Sequence, residues 1–133
     1  LDPWKDSSKY LKLLGRKYVT SSLSNGNISL QKNLFEYANL DFNFILSAEN
    51  FKKYKPDPLV YLGAASILGF KPNDCTLVAS HKSDLQAADK AGYNTIYIRR
   101  PNEFGIYSNK FKENTFTPNL SINSLEDLLT KHF

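Results

Sequence analysis

Apolar residues along the chain follow two different spacings, and the points where one gives way to the other divide it into helices and strands. Tyr10, Leu11 and Leu14 recur at helical spacing behind Asp6-Ser7-Ser8, whose side chains can accept the unpaired amides of a first turn, and Gly15 supplies a stop. Residues 18–23 are rich in β-branched and aromatic side chains and run into the turn sequence Ser24-Asn25-Gly26-Asn27, so a strand ends at Ser24. Leu30, Leu34, Phe35 and Ala38 share one face of a helix over 28–38, and Phe44-Ile45-Leu46 forms a short apolar strand. Asp57-Pro58 opens the next helix, since Asp can accept free amides while proline's fixed φ suits the first helical position. That helix covers 59–68 and stops at Gly69. A strand over 76–79 then leads through a polar loop into a helix over 84–91, with Gly92 fitted to a left-handed cap and a strand over 95–98. Residues 101–118 read as a polar loop, and Ser124-Leu125-Glu126-Asp127 resembles a capping box opening a last short helix.

Strands alternating with helices at this spacing pair in parallel through crossovers, which gives an α/β fold built on a doubly wound parallel sheet. Ligands of such sheets sit at the carboxyl ends of the strands. Ser24-Asn25-Gly26, Lys55-Pro56 and Ser80-His81-Lys82-Ser83-Asp84 all follow expected strands, so they can converge on one crevice.

Composition narrows the function classes. A chain of 133 residues with 41% hydrophobic content suits one compact domain over 1–133. The net charge of +4 arises from 17 basic and 13 acidic residues, the basic ones scattered rather than gathered in an arm, which argues against a nucleic-acid partner. No apolar run is long enough to cross a bilayer, and Leu1-Asp2-Pro3-Trp4-Lys5-Asp6 lacks the order of a signal peptide, so a cytoplasmic location is expected. On that expectation Asn27-Ile28-Ser29 and Asn119-Leu120-Ser121 match the glycosylation pattern by chance. The single Cys75 rules out a disulfide within the chain and, in an apolar strand, reads as a small hydrophobe. His132, beside the C-terminus, is expected to be solvent-exposed. The absence of Met and of a strand ahead of the first helix suggests that a segment precedes Leu1.

Each polar segment has a plain structural role beside a chemical one. Ser24-Asn25-Gly26 makes a turn, yet its hydroxyl, amide and backbone N–H groups can donate to an anion. Lys55-Pro56-Asp57-Pro58 is a rigid turn with a helix cap, yet an ammonium there can keep a nearby carboxylate ionised. Asp84 can cap the helix behind it or hold Lys55 and a water. His81 is a surface or packing residue or a general base.

Taken together, in this order and spacing, the segments are far more specific. Leu23-Ser24-Asn25-Gly26-Asn27, Leu46-Ser47-Ala48-Glu49, Tyr54-Lys55-Pro56-Asp57-Pro58 with Val60-Tyr61, Val78-Ala79-Ser80-His81 with Asp84-Leu85 and Ala87-Ala88, Ala91-Gly92, and Arg99-Arg100-Pro101 with Glu103-Phe104-Gly105 resemble the type II 2-haloacid dehalogenases of the haloacid dehalogenase superfamily. The likeness runs from about Trp4 to Gly105.

The resemblance implies hydrolytic dehalogenation of a small 2-haloalkanoate. An aspartate displaces the halide, and water hydrolyses the resulting ester to a 2-hydroxy acid. On the matching positions Ser24 and Asn25 would bind the substrate carboxylate or the halide, and Tyr61 would line the pocket. Lys55 would fix the nucleophile, while Ser80, His81 and Asp84 would belong to the loop that orients Lys55 and the hydrolytic water. His81 stands where many bacterial members carry Asn, and Ser83 where they often carry Trp. The resemblance implies no cofactor and no metal, with magnesium required only if the chain is instead a phosphatase of the superfamily. A homodimer is the partner it suggests for the full-length protein. The family's nucleophile strand and helical cap domain have no match in the sequence. The expected fold is therefore a haloacid-dehalogenase-like core lacking its first strand and cap, with two exposed strand edges, marginal stability and no activity by this route. A non-catalytic remnant or interaction module is the remaining alternative.

Overall fold

The computed structural model describes residues 7–100 and 115–130. The expectations placed on Trp4, Pro101, Glu103, Phe104, Gly105, His132 and most of the 101–118 loop lie outside them. Helix α1 (Ser7–Lys17) buries Leu11 and Leu14, as their spacing requires. It does not stop at Gly15. The residue is helical, and a Cβ there would come within 3.3 Å of Asn43 Nδ2, so its value is close approach rather than termination. The helical bonding continues to Tyr18 N, which donates to Leu14 O at 2.8 Å, and this shortens strand β1 to Ser21–Ser24.

Helix α2 (Ile28–Ala38) crosses from β1 to β2 (Phe44–Ser47), and the two strands pair in parallel with Leu23 opposite Leu46 and Ser24 opposite Ser47. The expected apolar face of α2 is only in part its core face, with Phe35 and Ala38 half-buried. Gln31 is its buried residue, while Leu30, Leu34 and Tyr37 are exposed. A short 3-10 turn, Ala48–Phe51, precedes α3 (Pro58–Leu68), which starts on Asp57, whose side chain accepts from Leu59 N. Gly69 ends α3 at φ 82°, the left-handed conformation for which glycine is best suited.

Strands β3 (Thr76–Ala79) and β4 (Asn94–Ile98) flank α4 (Lys82–Lys90) and pair in parallel, and β5 (Leu120–Ile122) adds to β4. The sequence pattern gave no hint of β5. Its three residues are too few to show a period, and it is fixed by a tertiary clip: Asn119 Oδ1 accepts from Thr95 N at 2.8 Å and Asn119 N donates to Thr95 Oγ1 at 3.1 Å. The last helix, α5 (Asp127–Thr130), starts later than Ser124 suggests, and the Asp127 carboxylate reaches back to the amides of Asn123 and Ser124.

Parallel strands with crossover helices therefore form the fold, but among the described residues they lie in two separate sheets, β1-β2 and β3-β4-β5, rather than one. Among the described residues β1 and β3 are each paired along one edge only. Helices cover both faces of the larger sheet. Leu77 packs into a cluster with Val60, Tyr61 and Ala65 of α3 and Ala88 of α4, whereas its neighbour Val78 packs with Ile96, Ile98, Leu14 of α1 and Leu128 of α5. No helix among the described residues is long and apolar enough to cross a membrane.

Candidate active site

The carboxyl ends of β1 and β3 carry the polar segments. At the end of β1 the chain turns sharply into α2, whose first turn is capped by Asn27 Oδ1 accepting from Leu30 N at 2.8 Å. Within that turn Ser24 Oγ accepts from Gly26 N at 3.0 Å, which leaves its hydroxyl proton to donate. Asn25 Oδ1 accepts from Lys55 N at 2.8 Å. Only the carbonyl oxygen of an amide can take that bond, so the orientation of Asn25 is fixed and its NH₂ is the group it can offer a ligand. Both side chains therefore act as donors.

Lys55 stands beside this turn, next to a cis peptide bond to Pro56. Its Nζ lies 2.9 Å from Asp84 Oδ2, with the two side chains 18% and 22% exposed. The other oxygen, Asp84 Oδ1, accepts from Tyr61 Oη at 2.5 Å. Asp84 thus holds two donors at once and does not cap α4, which begins earlier than expected. His81 occupies the cap position and makes no side-chain cap bond there, while the carboxylate sits in the first turn, where the positive end of the helix dipole favours it.

Tyr61 is fully buried, so it supports the site from beneath instead of lining an open pocket. Burial first, and then the hydrogen bond and negative charge of Asp84, push its phenol far above the usual range and keep it a donor. Beneath it Tyr93 Oη donates to Tyr61 O at 2.5 Å, and burial pushes that phenol up as well. The chain Tyr93, Tyr61, Asp84, Lys55 and Asn25 therefore links the end of α4 through α3 to the β1 turn. Ser80, half-buried, and His81, exposed, follow β3 in the same loop as Asp84. Lys82 Nζ, one residue on, lies 5.3 Å from the centre of the Tyr97 ring.

Two site features escaped the sequence reading. They are Tyr93, beneath Tyr61, and Gln31, buried behind the Ser24 turn. The signal for Gln31 was its place one residue after Leu30 on a helix behind the Ser24 turn, which becomes meaningful only when the turn's carbonyls are seen to need donors.

This geometry suits an anionic substrate and a carboxylate nucleophile held by an ammonium. The family model described as haloacid dehalogenase-like hydrolase matches residues 7–98. The chain is 35% identical over 138 residues to (S)-2-haloacid dehalogenase 4A of Burkholderia cepacia, an alignment covering 99% of this chain and 57% of that protein. The crystal structure of an L-2-haloacid dehalogenase superposes with a TM-score of 0.89 at 37% identity, covering 96% of this chain and 55% of that one. Phosphatases also match, among them enolase-phosphatase E1 of Sulfurihydrogenibium sp., 32% identical over 81 residues, 59% of this chain and 35% of that protein. The chain thus spans a little over half the length of the dehalogenases it resembles.

Proposed function

The chain belongs to the haloacid dehalogenase-like hydrolases, and from that premise we propose that it carries the binding and positioning part of a site for hydrolytic dehalogenation of 2-haloalkanoates. The observation that carries this reading is the Lys55, Asp84 and Tyr61 cluster set beside the donors of Ser24 and Asn25. In the proposed reaction an aspartate oxygen attacks the carbon bearing the halogen. A C–O bond forms as the C–halogen bond breaks, and the halide leaves with the bonding pair. Water then adds to the ester carbonyl, releasing the 2-hydroxy acid, regenerating the carboxylate and freeing a proton.

Asp84 and Tyr61 fix the Lys55 ammonium, whose remaining N–H groups orient the attacking carboxylate and oppose its protonation. Ser24 and Asn25 donate to the substrate carboxylate and to the leaving halide, where negative charge grows during displacement. Ser80 and His81 position the hydrolytic water with Asp84. We assign the attacking aspartate to a strand seated between the unpaired edges of β1 and β3. On this reading residues 1–133 by themselves release no halide.

The phosphatase alternative requires magnesium, a hard cation that takes oxygen ligands. Among the described residues no group of three His, Cys, Asp or Glu side chains is placed to hold a metal ion. The carboxylate in the β3 loop is already bonded to Lys55 and Tyr61. With both oxygens taken by Lys55 and Tyr61, Asp84 favours the dehalogenase reading.

Halide release from (S)-2-chloropropionate by the full gene product, run beside phosphate release with magnesium, tests the proposal. Chloride release that falls at least a hundredfold in Lys55→Met is the expected result. Phosphate release without chloride release, or neither activity, would overturn it.

A further inference from the structure

Gln31 is 3% exposed, and two of its three side-chain hydrogen bonds go to the segment that presents Ser24 and Asn25. Its Oε1 accepts from Ser22 Oγ at 2.6 Å, and its Nε2 donates to Gly26 O at 2.8 Å and to Leu46 O at 3.0 Å. One side chain on the crossover helix thus ties together strand β1, the end of β2 and the carbonyl that closes the turn. Fixing Gly26 fixes the amide that bonds Ser24 Oγ, and so the direction in which the Ser24 hydroxyl donates. Asn25 lies between these anchored residues, and its Oδ1 takes Lys55 N.

We propose that Gln31 is a positioning residue for the substrate-binding turn, setting the donor directions of Ser24 and Asn25 and, through Asn25, the placement of the Lys55 segment. The proposal rests on the dehalogenase reading for the identity of the substrate, but not for the coupling itself. An amide suits the position because it must accept from a hydroxyl and donate to two carbonyls at once. A carboxylate would face those carbonyls with negative charge, and an aliphatic side chain would make none of the three bonds.

The test uses the ¹⁵N-labelled 133-residue chain with Gln31→Met, which keeps the length and removes all three bonds, and the milder Ser22→Ala, which removes one. In Gln31→Met the Lys55 amide should exchange with solvent at least tenfold faster relative to that of Ile96 in β4, and the Asn25 side-chain NH₂ resonance should move toward that of a freely solvated amide. Affinity for 2-chloropropionate, read from shifts at Ser24 and Asn25, should fall at least tenfold. Ser22→Ala should move all three in the same direction by less. Unchanged Lys55 exchange and Asn25 resonance in a folded Gln31→Met chain would overturn the proposal. If that variant does not fold, unchanged signals in Ser22→Ala would overturn it. Should the unsubstituted chain show no 2-chloropropionate binding, the dehalogenase reading loses support, while exchange and resonance still decide whether Gln31 sets the turn.

Discussion

Lys55 and Asp84 lie 29 residues apart in sequence and 2.9 Å apart in space, so their coupling is purely tertiary. Two unit charges about 4 Å apart attract by roughly 4 kcal/mol at an effective dielectric of about 20, and desolvating both groups takes back part of that. Exposed pairs retain about 0.2–1 kcal/mol. With side chains 18% and 22% exposed, this pair is mostly shielded from water, and a hydrogen bond to a charged group contributes about 1.5–3 kcal/mol net. A coupling energy of about 2 kcal/mol is expected from a double-mutant cycle of Lys55→Met, Asp84→Ala and the pair, measured by urea unfolding. Loss of the Tyr61 bond does not contaminate it, because Tyr61 loses its acceptor in both chains that lack Asp84 and the effect cancels. High salt should reduce the coupling by less than half, since a shielded pair is screened weakly. A coupling below about 0.5 kcal/mol, or one abolished by salt, would mean that the pair behaves as a surface contact and that Asp84 does not anchor Lys55.

Other expectations follow from the same core. Tyr61 and Tyr93 hold their phenolic protons more tightly folded than unfolded, because burial raises both and Asp84 adds to the effect on Tyr61. Their stabilisation is therefore complete below about pH 10 and declines above it by roughly 1.4 kcal/mol per pH unit for each phenol. Urea midpoints between pH 8 and 11.5 should show this fall, and Tyr61→Phe and Tyr93→Phe should each remove part of the slope; an unaltered slope in both would refute it. Gly63→Ala would place a Cβ 2.5 Å from Phe51 Cδ1, so ring displacement should outweigh the helix gain and destabilise by about 1–2 kcal/mol. A Phe51→Leu background should relieve that loss, and calorimetry that finds no relief would assign the cost elsewhere.

The sequence made the local parts legible and left their partners hidden. Asp57, Pro58 and Gly69 bound α3 where they were expected, because caps act within a turn of the residue that carries them. The convergence of Ser24, Lys55 and Asp84 was also readable, since each follows a strand and a parallel fold gathers its strand ends. The internal geometry of the cluster was not. Asp84 read equally well as a cap, and nothing local distinguishes a carboxylate that bonds its own helix from one that reaches Lys55 and Tyr61. Helix α2 misled for a related reason: apolar periodicity assumes that burial is bought by hydrophobic area alone. Ser22 and the carbonyls of Gly26 and Leu46 sit behind this helix, and each unmet hydrogen bond there costs about 1–3 kcal/mol. Fully burying a leucine gains about the same. The polar demand is threefold and concentrated at one place, so the helix turns Gln31 inward with Phe35 and Ala38 half-buried beside it, and leaves Leu30 and Leu34 exposed. A glutamine just behind a polar turn is therefore better read by the acceptors it can reach than by its place in the apolar pattern.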